Sequence, residues 1–453
     1  MDKIAIFYDN ATYKNKIEYI FNYIFSHYFV KEKKIELVFN PLNDNQSFIQ
    51  KIYYQDKKID NIFYIKPQRL IFSDNPINSH DLIANEYLQD EMSLYSVERD
   101  KSEKKHFIVK REIQFDMIET IFFHISRYEE YHANQSQLDH HQRMKSSEQF
   151  LVKHKLYKIP VVDHIVYMFL KQLGFNDLNI KTIYSMTHDI DAIRKYPSFY
   201  KFSRALARVA IKEKKVSKVF NLVKQYLQVK ITKKDTYDTF DWLLLENKSK
   251  EKSIYFMSGG KTKYDNFYSI YDDKLQGIFK LARDNNYTIG LHPSYSTPFE
   301  KKQFKKEIDI LEKVIDNKID KARQHILHYS VKETLDILEE LDIKFDSTFG
   351  YQDLVGFRCG TGHNYYLYNF NKEKQSSVQE IPLVVMDGPL LMESDYDVLK
   401  AEKIIFDFIE RNKKITKVTF NFHNSTFDDM VCDSKLLKKL YININDFFEG
   451  NIE

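Results

Sequence analysis

The sequence predicts an α/β protein in which a (β/α) barrel, residues 176–453, follows a smaller α/β domain, residues 1–175. Two observations carry this expectation. From about residue 180, seven strand-like runs alternate with helix-like runs, which makes a parallel sheet closed into a barrel the economical architecture. Five of the strand ends there carry Asp, His, Arg, Asp and His, the place where such a barrel gathers its chemistry.

In the first half, β-favouring runs at Lys3–Tyr8, Ile35–Phe39 and Asn61–Ile65 read as strands, with an apolar-periodic helix around Tyr13–His27. A helix is expected at Ile113–Tyr131, where Ile113, Met117, Ile118 and Ile121 are spaced like a core stripe. The polar run His132–Gln149 reads as an exposed connection and Val161–Leu173 as a last helix. No chemical motif stands out before residue 175, so a structural or recognition role is expected there. The seven strands of the second half are Ile183–Asp191, Ser253–Ser258, Thr288–Tyr295, Ala322–Tyr329, Ile343–Phe349, Glu380–Asp387 and Lys417–Asn424. Helical patterns at Asp272–Asn285, Lys301–Ile315, Val331–Leu341 and Val398–Arg411 separate them.

With 43% hydrophobic and 29% charged residues, the 453-residue chain has the composition of a folded globular protein. A net charge of +3 gives no argument for nucleic acid. Two cysteines, Cys359 and Cys432, exclude a disulfide framework and a Cys-x-x-Cys site. The opening residues read as a strand rather than a signal peptide, and no apolar run reaches membrane-spanning length, so a cytoplasmic location is expected.

The most informative run is Ser-Met-Thr-His-Asp-Ile-Asp, residues 185–191. On a strand, Thr187, Asp189 and Asp191 point to one face. Two carboxylates held so close are tolerable if a cation sits between them, or if one is protonated or held by an arginine. That arrangement suits a metal-assisted hydrolase, one carboxylate acting as ligand and the other as base. Other strand ends carry His292, then Arg323 and His325, then Asp346, Asp387 and finally His423.

The order of these residues resembles the NodB-homology polysaccharide deacetylases, carbohydrate esterase family 4. Thr187-His188-Asp189-Ile190-Asp191 matches that family's Ser-Phe-Asp-x-Asp form with His188 in the aromatic position. The resemblance implies a distorted (β/α)7-type barrel that removes acetyl groups from glycans, with a divalent metal, zinc being the expected ion. It makes Asp189 the catalytic base and Asp191 a metal ligand. His292 fits the first histidine of the family's His-x-x-x-His motif, but Ser296 stands at the second. Arg323 fits Arg-x-Pro, bracing the base, with His325 in place of the proline. His423, in Phe420-Asn421-Phe422-His423, becomes the proton donor. The resemblance spans Ile183 to Asn424, and the whole layout is similar to a bacterial subgroup with an N-terminal domain of unknown function.

Because Ser296 breaks the usual ligand set, His325, on the same strand face as Arg323, is the expected third metal ligand, with water or His188 as weaker substitutes. Two other readings stay open: a deacetylase-like barrel that only binds or scaffolds glycans, and a metal-independent C–N hydrolase. Asp346 and Asp387 line the substrate pocket or cap the segments that follow them. The loop Gly356–His363, with Arg358, reads as a flexible substrate-side loop. The expected partner is a carbohydrate, an acetamido-sugar precursor of a surface polysaccharide. Finally, the basic stretch 194–234 carries apolar residues at helical spacing, suited either to an acidic surface, membrane or glycan, or to packing on the barrel.

Overall fold

Ile4, Ala5 and Ile6 are buried in succession, as a central parallel strand requires when both its faces are covered. The strand they form, Asp2–Tyr8 (β1), pairs in parallel with Ile35–Phe39 (β2) on one side and Gln50–Tyr54 (β3) on the other. The computed structural model describes residues 2–42, 47–57, 63–73, 83–89, 92–98, 108–109, 112–113, 116–213, 216–232, 235–265 and 268–450. Phe63–Ile65 (β4) continues this first sheet; the expected start of that strand, Asn61, lies outside the described residues. Ile83–Gln89 (β5) and Met92–Glu98 (β6) form a separate hairpin, and Ile108–Val109 (β7) and Glu112–Ile113 (β8) complete the order β2-β1-β3-β4-β8-β7.

Ile113 therefore belongs to a strand and not to the helix expected at Ile113–Tyr131. The helix spans Met117–Ile125, because the Asp116 carboxylate caps it by accepting from Glu119 N at 2.9 Å. It ends where Arg127 takes a left-handed φ of 58°.

The second sheet has nine strands: Ile183–Ile190 (β9), Glu251–Phe256 (β10), Thr288–Leu291 (β11), Lys321–Ala322 (β12), Phe345–Asp346 (β13), Tyr365–Asn369 (β14), Lys374–Glu380 (β15), Val385–Met386 (β16) and Lys417–Asn421 (β17). Their order is β14-β15-β13-β12-β11-β10-β9-β17-β16. Every neighbouring pair is parallel except the β14–β15 hairpin. The chain is thus a mixed α/β protein with two main sheets. Among the described residues the second sheet has an open order, with β14 and β16 at its ends.

The observed strands are shorter than the expected ones, because the chain leaves the ladder early. Past its last paired residue, each chain leaves the ladder while keeping one or two hydrogen bonds to its neighbour. His292 N donates to Phe256 O at 2.8 Å, Arg323 N to Leu291 O at 3.0 Å, and Phe422 N to Thr187 O at 3.1 Å. Polar side chains are thereby held at one end of the parallel strands. The run expected as a strand to Tyr329 instead turns at His325–Leu327, where Ile326 and Leu327 have φ of 53° and 55°. The run Glu380–Asp387 likewise divides, β15 ending at Glu380 and Asp387 opening the helix Asp387–Glu393.

Two expectations about connections are corrected. The run His132–Gln149 is only partly exposed: Gln137, His141, Arg143, Ser146 and Gln149 are buried, and His141, Arg143 and Ser146 bond to Tyr295, Ile326 and Asp353 of the second half. Asp139 gathers it by accepting from His141 N at 2.8 Å, Arg143 N at 3.0 Å and Arg143 Nε at 2.9 Å. Nor is Gly356–His363 a loose substrate-side loop. It lies in the seam between the halves, where Val162 N donates to Gly360 O at 2.8 Å and a Cβ at Gly362 would stand 1.9 Å from the Lys417 carbonyl. Tyr19 and Phe122 meet Tyr368 across the same seam at 5.2 and 5.0 Å, inside one hydrophobic cluster with residues from both halves. Both cysteines are free and buried, and burial pushes the Cys359 thiol up to about 12.

Candidate functional site

Thr187 and Asp189 on β9, and Asp191 just past its last residue, fall on one face by the alternation of side chains, at the end where the parallel strands stop. Asp189 is buried, and both its oxygens are taken. Oδ1 accepts from Arg323 Nη1 at 2.9 Å and Oδ2 from Asn421 Nδ2 at 2.9 Å. Arg323 is itself fully buried. It also donates to Thr187 Oγ1 at 2.9 Å, Ser347 O at 2.9 Å and Ser347 Oγ at 2.8 Å, and it lies 4.5 Å over the Tyr255 ring. A guanidinium with so many fixed partners holds the Asp189 carboxylate in a single orientation.

Asp191 faces a different set. Its Oδ1 lies 3.3 Å from His292 Nε2 and 3.8 Å from His325 Nε2, and its Oδ2 is 3.9 Å from His423 Nε2. One ligand atom from each of Asp191, His292 and His325 lies within 4.8 Å of the others, a group that could hold a metal ion. The fit to a cation is good on three counts. Asp191 Oδ1 is sealed from solvent and makes no hydrogen bond. His292 Nδ1 sits 2.6 Å from the Arg323 carbonyl, which fixes the proton there and turns the Nε2 lone pair toward Asp191. Two imidazoles and a carboxylate are the donor set of many zinc sites.

Electrostatics agree with this geometry. Burial alone would raise the Asp191 carboxyl, but His292, His325 and His423 around it hold it well below the usual carboxylate range. Burial also opposes charge on His292, yet Asp189 and Asp191 outweigh it and raise its pKa, so an ion bound here would have to displace a proton from this ring. Burial lowers His325 to about 4, so its ring is neutral, as a ligand must be. Its Nδ1 is buried and has no hydrogen-bond partner.

His423 stands across from these ligands, partly buried. Its Nδ1 is 2.7 Å from Asp387 Oδ1, while its backbone N donates to Asp387 Oδ2 at 2.7 Å and Thr426 Oγ1 donates to the same oxygen. Burial disfavours the imidazolium, but the Asp387 carboxylate outweighs it, with help from Asp191 and Asp189, and pushes His423 up to about 10.

A cavity of about 330 Å³ is lined by Asp189, Asp191, His292, His325 and His423, together with Gln324, Ile326, Leu327, Gln352, Met386, His141 and Arg143. Every residue expected as catalytic or metal-binding is therefore in this wall except Arg323, which lies behind Asp189. The three expected substrate contacts are not. Asp346 is fully buried, accepts from Thr348 Oγ1 at 2.8 Å, and forms with Glu380 a carboxyl pair that burial pushes upward. Asp387 is the buried partner of His423. Arg358 points into the seam, its Nε and Nη2 bound to Glu130 at 2.9 and 2.8 Å and its Nη1 to Gly350 O at 2.8 Å. In each case the charged group is turned to a partner inside the protein rather than to the cavity.

Ser296 does not face the ligands; its hydroxyl donates to Glu300 Oε2 at 3.2 Å. The His188 ring is buried with Nδ1 2.8 Å from Phe422 O and Nε2 3.4 Å from the Tyr441 hydroxyl, which leaves it no part in ligation.

Sequence reading missed Arg143, His141 and Asn421. Asn421 had a signal, since it precedes His423 by two residues and shares its strand face. Arg143 had none: it comes from the first half, and its Nη1 donates to the Ile326 carbonyl in the left-handed turn after His325. A β-branched residue in that conformation costs about 1–3 kcal/mol and persists only when its surroundings hold it.

A second group, His27, Asp163 and His363, is also close enough for an ion. Its atoms are already committed, however. His27 Nδ1 accepts from Phe29 N at 3.4 Å, so Nε2 carries the proton toward Asp163 Oδ1 at 3.0 Å, and Thr361 Oγ1 donates to the same oxygen at 2.6 Å. It is a hydrogen-bonded part of the seam.

A family model described as "Family of unknown function (DUF7033)" matches residues 4–177, less than half of the chain. No curated protein matches it. Among solved structures, a BA3943 mutant, a CE4 family pseudoenzyme with restored enzymatic activity, is 10% identical with a TM-score of 0.28. The match covers 60% of this chain and 65% of that one, so this chain spans less than two thirds of its length.

Proposed function

We infer that the chain is a metal-assisted hydrolase that removes acetyl groups from an acetamido-sugar or a polysaccharide precursor. The observation that carries the reading is the convergence of Asp189, Asp191, His292, His325 and His423, from the ends of β9, β11, β12 and β17, on one cavity. Asp191, His292 and His325 would hold a divalent ion, zinc first. Bound there, the ion supplies Lewis acidity toward the amide carbonyl and an attacking water.

The chain's own groups do the rest. Asp189, with its orientation held by Arg323 and Asn421, accepts the proton of the water as its oxygen bonds to the carbonyl carbon. His423, kept charged by Asp387, donates its proton to the amine nitrogen as the C–N bond breaks, so acetate and a free amino sugar leave. Ile326, Leu327 and Met386 give the wall an apolar part suited to the acetyl methyl group.

The direct test is acetate release from N-acetylated sugars by zinc-loaded protein. The expected result is turnover that Asp189→Asn lowers by about 10²–10⁴-fold while the metal stays bound. Equal turnover in Asp189→Asn would remove the base assignment, and no acetate from any acetamido sugar would remove the reading.

A further inference from the structure

Between β9 and β10 the chain leaves the sheet just after Asp191 and forms a hairpin of helices, Phe199–Arg208 with its continuation Val209–Glu213, then Val216–Thr232. Of the eighteen large apolar side chains exposed among the described residues, seven lie in this hairpin. Four of them, Val216, Phe220, Leu227 and Ile231, share the second helix, with Phe220 69% and Ile231 79% exposed. At 3.6 residues per turn their spacing places them within an arc of roughly 60°, a continuous stripe along one face. Lys224 and Lys230, both exposed, flank the stripe on its two sides.

The stripe is not needed to hold the hairpin together. The opposite face does that: Leu222 is buried, and Tyr226 stacks on Phe202 at 3.9 Å. The hairpin is tied to the body by Lys195, whose Nζ donates to Gln225 Oε1 at 2.6 Å and Asp428 Oδ1 at 2.8 Å. An apolar stripe with its packing already satisfied elsewhere is a surface for something outside the chain.

Charge identifies the occupant. From Phe199 to Thr232 the sequence has nine Lys or Arg residues against one acidic residue, Glu213, whereas the whole chain nets only +3. A second copy presenting the same face would set like charges against each other. An anionic bilayer surface satisfies both features, apolar side chains entering the headgroup boundary and the flanking cations meeting lipid phosphates. No helix among the described residues is long and apolar enough to cross a membrane, so the contact is in-plane.

We propose that the Phe199–Thr232 hairpin docks the protein on an anionic lipid bilayer through the Val216–Phe220–Leu227–Ile231 stripe and its flanking lysines. This stands whether or not the chain is a hydrolase. The test is co-sedimentation of the full chain with phosphatidylcholine vesicles with and without phosphatidylglycerol. Binding is expected only with phosphatidylglycerol. It should weaken steeply as salt rises from about 0.1 M to about 1 M, where screening shortens from ~10 Å to ~3 Å. Phe220→Ser with Ile231→Ser should lower the partition about tenfold or more, and Lys224→Gln with Lys230→Gln by a similar factor. Since all four side chains are exposed, both variants should melt within a few degrees of the parent, which separates lost docking from lost folding. Equal binding to neutral vesicles, no binding to either kind, or an unchanged partition in the Ser pair would overturn the proposal. A dimer in solution that the Ser pair converts to monomer would overturn it in favour of a second copy.

Discussion

Asp387→Asn isolates the electrostatic support of His423 while keeping its geometry. The amide oxygen can still accept from Nδ1, at the position where Asp387 Oδ1 now sits at 2.7 Å. What is lost is a negative charge whose centre lies roughly 4 Å from the imidazolium. At an effective dielectric constant of about 20 this interaction is worth about 4 kcal/mol, or about three pH units of proton affinity. His423, pushed up to about 10 in the parent, should fall by those three units to about 7. At about pH 9 roughly one variant molecule in a hundred would keep the acid charged. The alkaline limb of kcat/KM for acetate release should therefore move from near pH 10 to near pH 7, with the smallest loss at about pH 6.

Stability should follow the same signs. The raised His423 pKa stabilises the fold fully below about pH 6.5, and that contribution fades as pH climbs toward 10. The lowered Asp387 pKa stabilises above about pH 4 and fades as pH falls through the acidic range. Urea unfolding should thus show Asp387→Asn less stable by about 2–4 kcal/mol between roughly pH 4.5 and 6.5, with the gap narrowing on the alkaline side. An alkaline limb at the same pH in both proteins would refute the reasoning.

His325→Ala should weaken zinc binding by about 100-fold or more in competition with a chromophoric chelator, since it removes one of three ligand side chains; unchanged affinity would exclude His325 from the ion. Arg143→Ala should lower zinc affinity about tenfold by releasing the Ile326 carbonyl and with it the His325 turn, and Arg143→Lys should fall between the two; identical affinities would show that the turn holds itself. Arg358→Met should destabilise the protein by about 3–5 kcal/mol in urea, because it strips Glu130 of one buried partner, and should leave KM unchanged. A raised KM with unaltered stability would return Arg358 to the substrate.

Much of the site is written locally. Thr187, Asp189 and Asp191 declare themselves by period-2 alternation after an apolar lead-in, and His292, Arg323, His325 and His423 by standing where strand patterns end. A strand end, however, does not say which way the chain turns next. Asp387 opens a helix and slips beneath His423, and Asp346 pairs with Glu380 behind the wall, so both leave the cavity they were expected to line. The β14–β15 hairpin is hidden because Lys374–Glu380 alternates without large apolar residues. His132–Gln149 carries no periodicity at all; its burial follows from Asp139 bonding its own neighbours and from Arg143 reaching Ile326, 183 residues away. Contacts between distant segments leave no mark in a local pattern, which is why the first half's share of the cavity wall was missed.

An ion bound by Asp191, His292 and His325 is the centre of the proposed chemistry. Metal content of the full-length protein after zinc loading and desalting measures this directly. One zinc per chain is expected in the parent, with occupancy lost in Asp191→Asn and His292→Ala but kept in Asp189→Asn. No retained zinc in the parent, or full occupancy in Asp191→Asn, would contradict it.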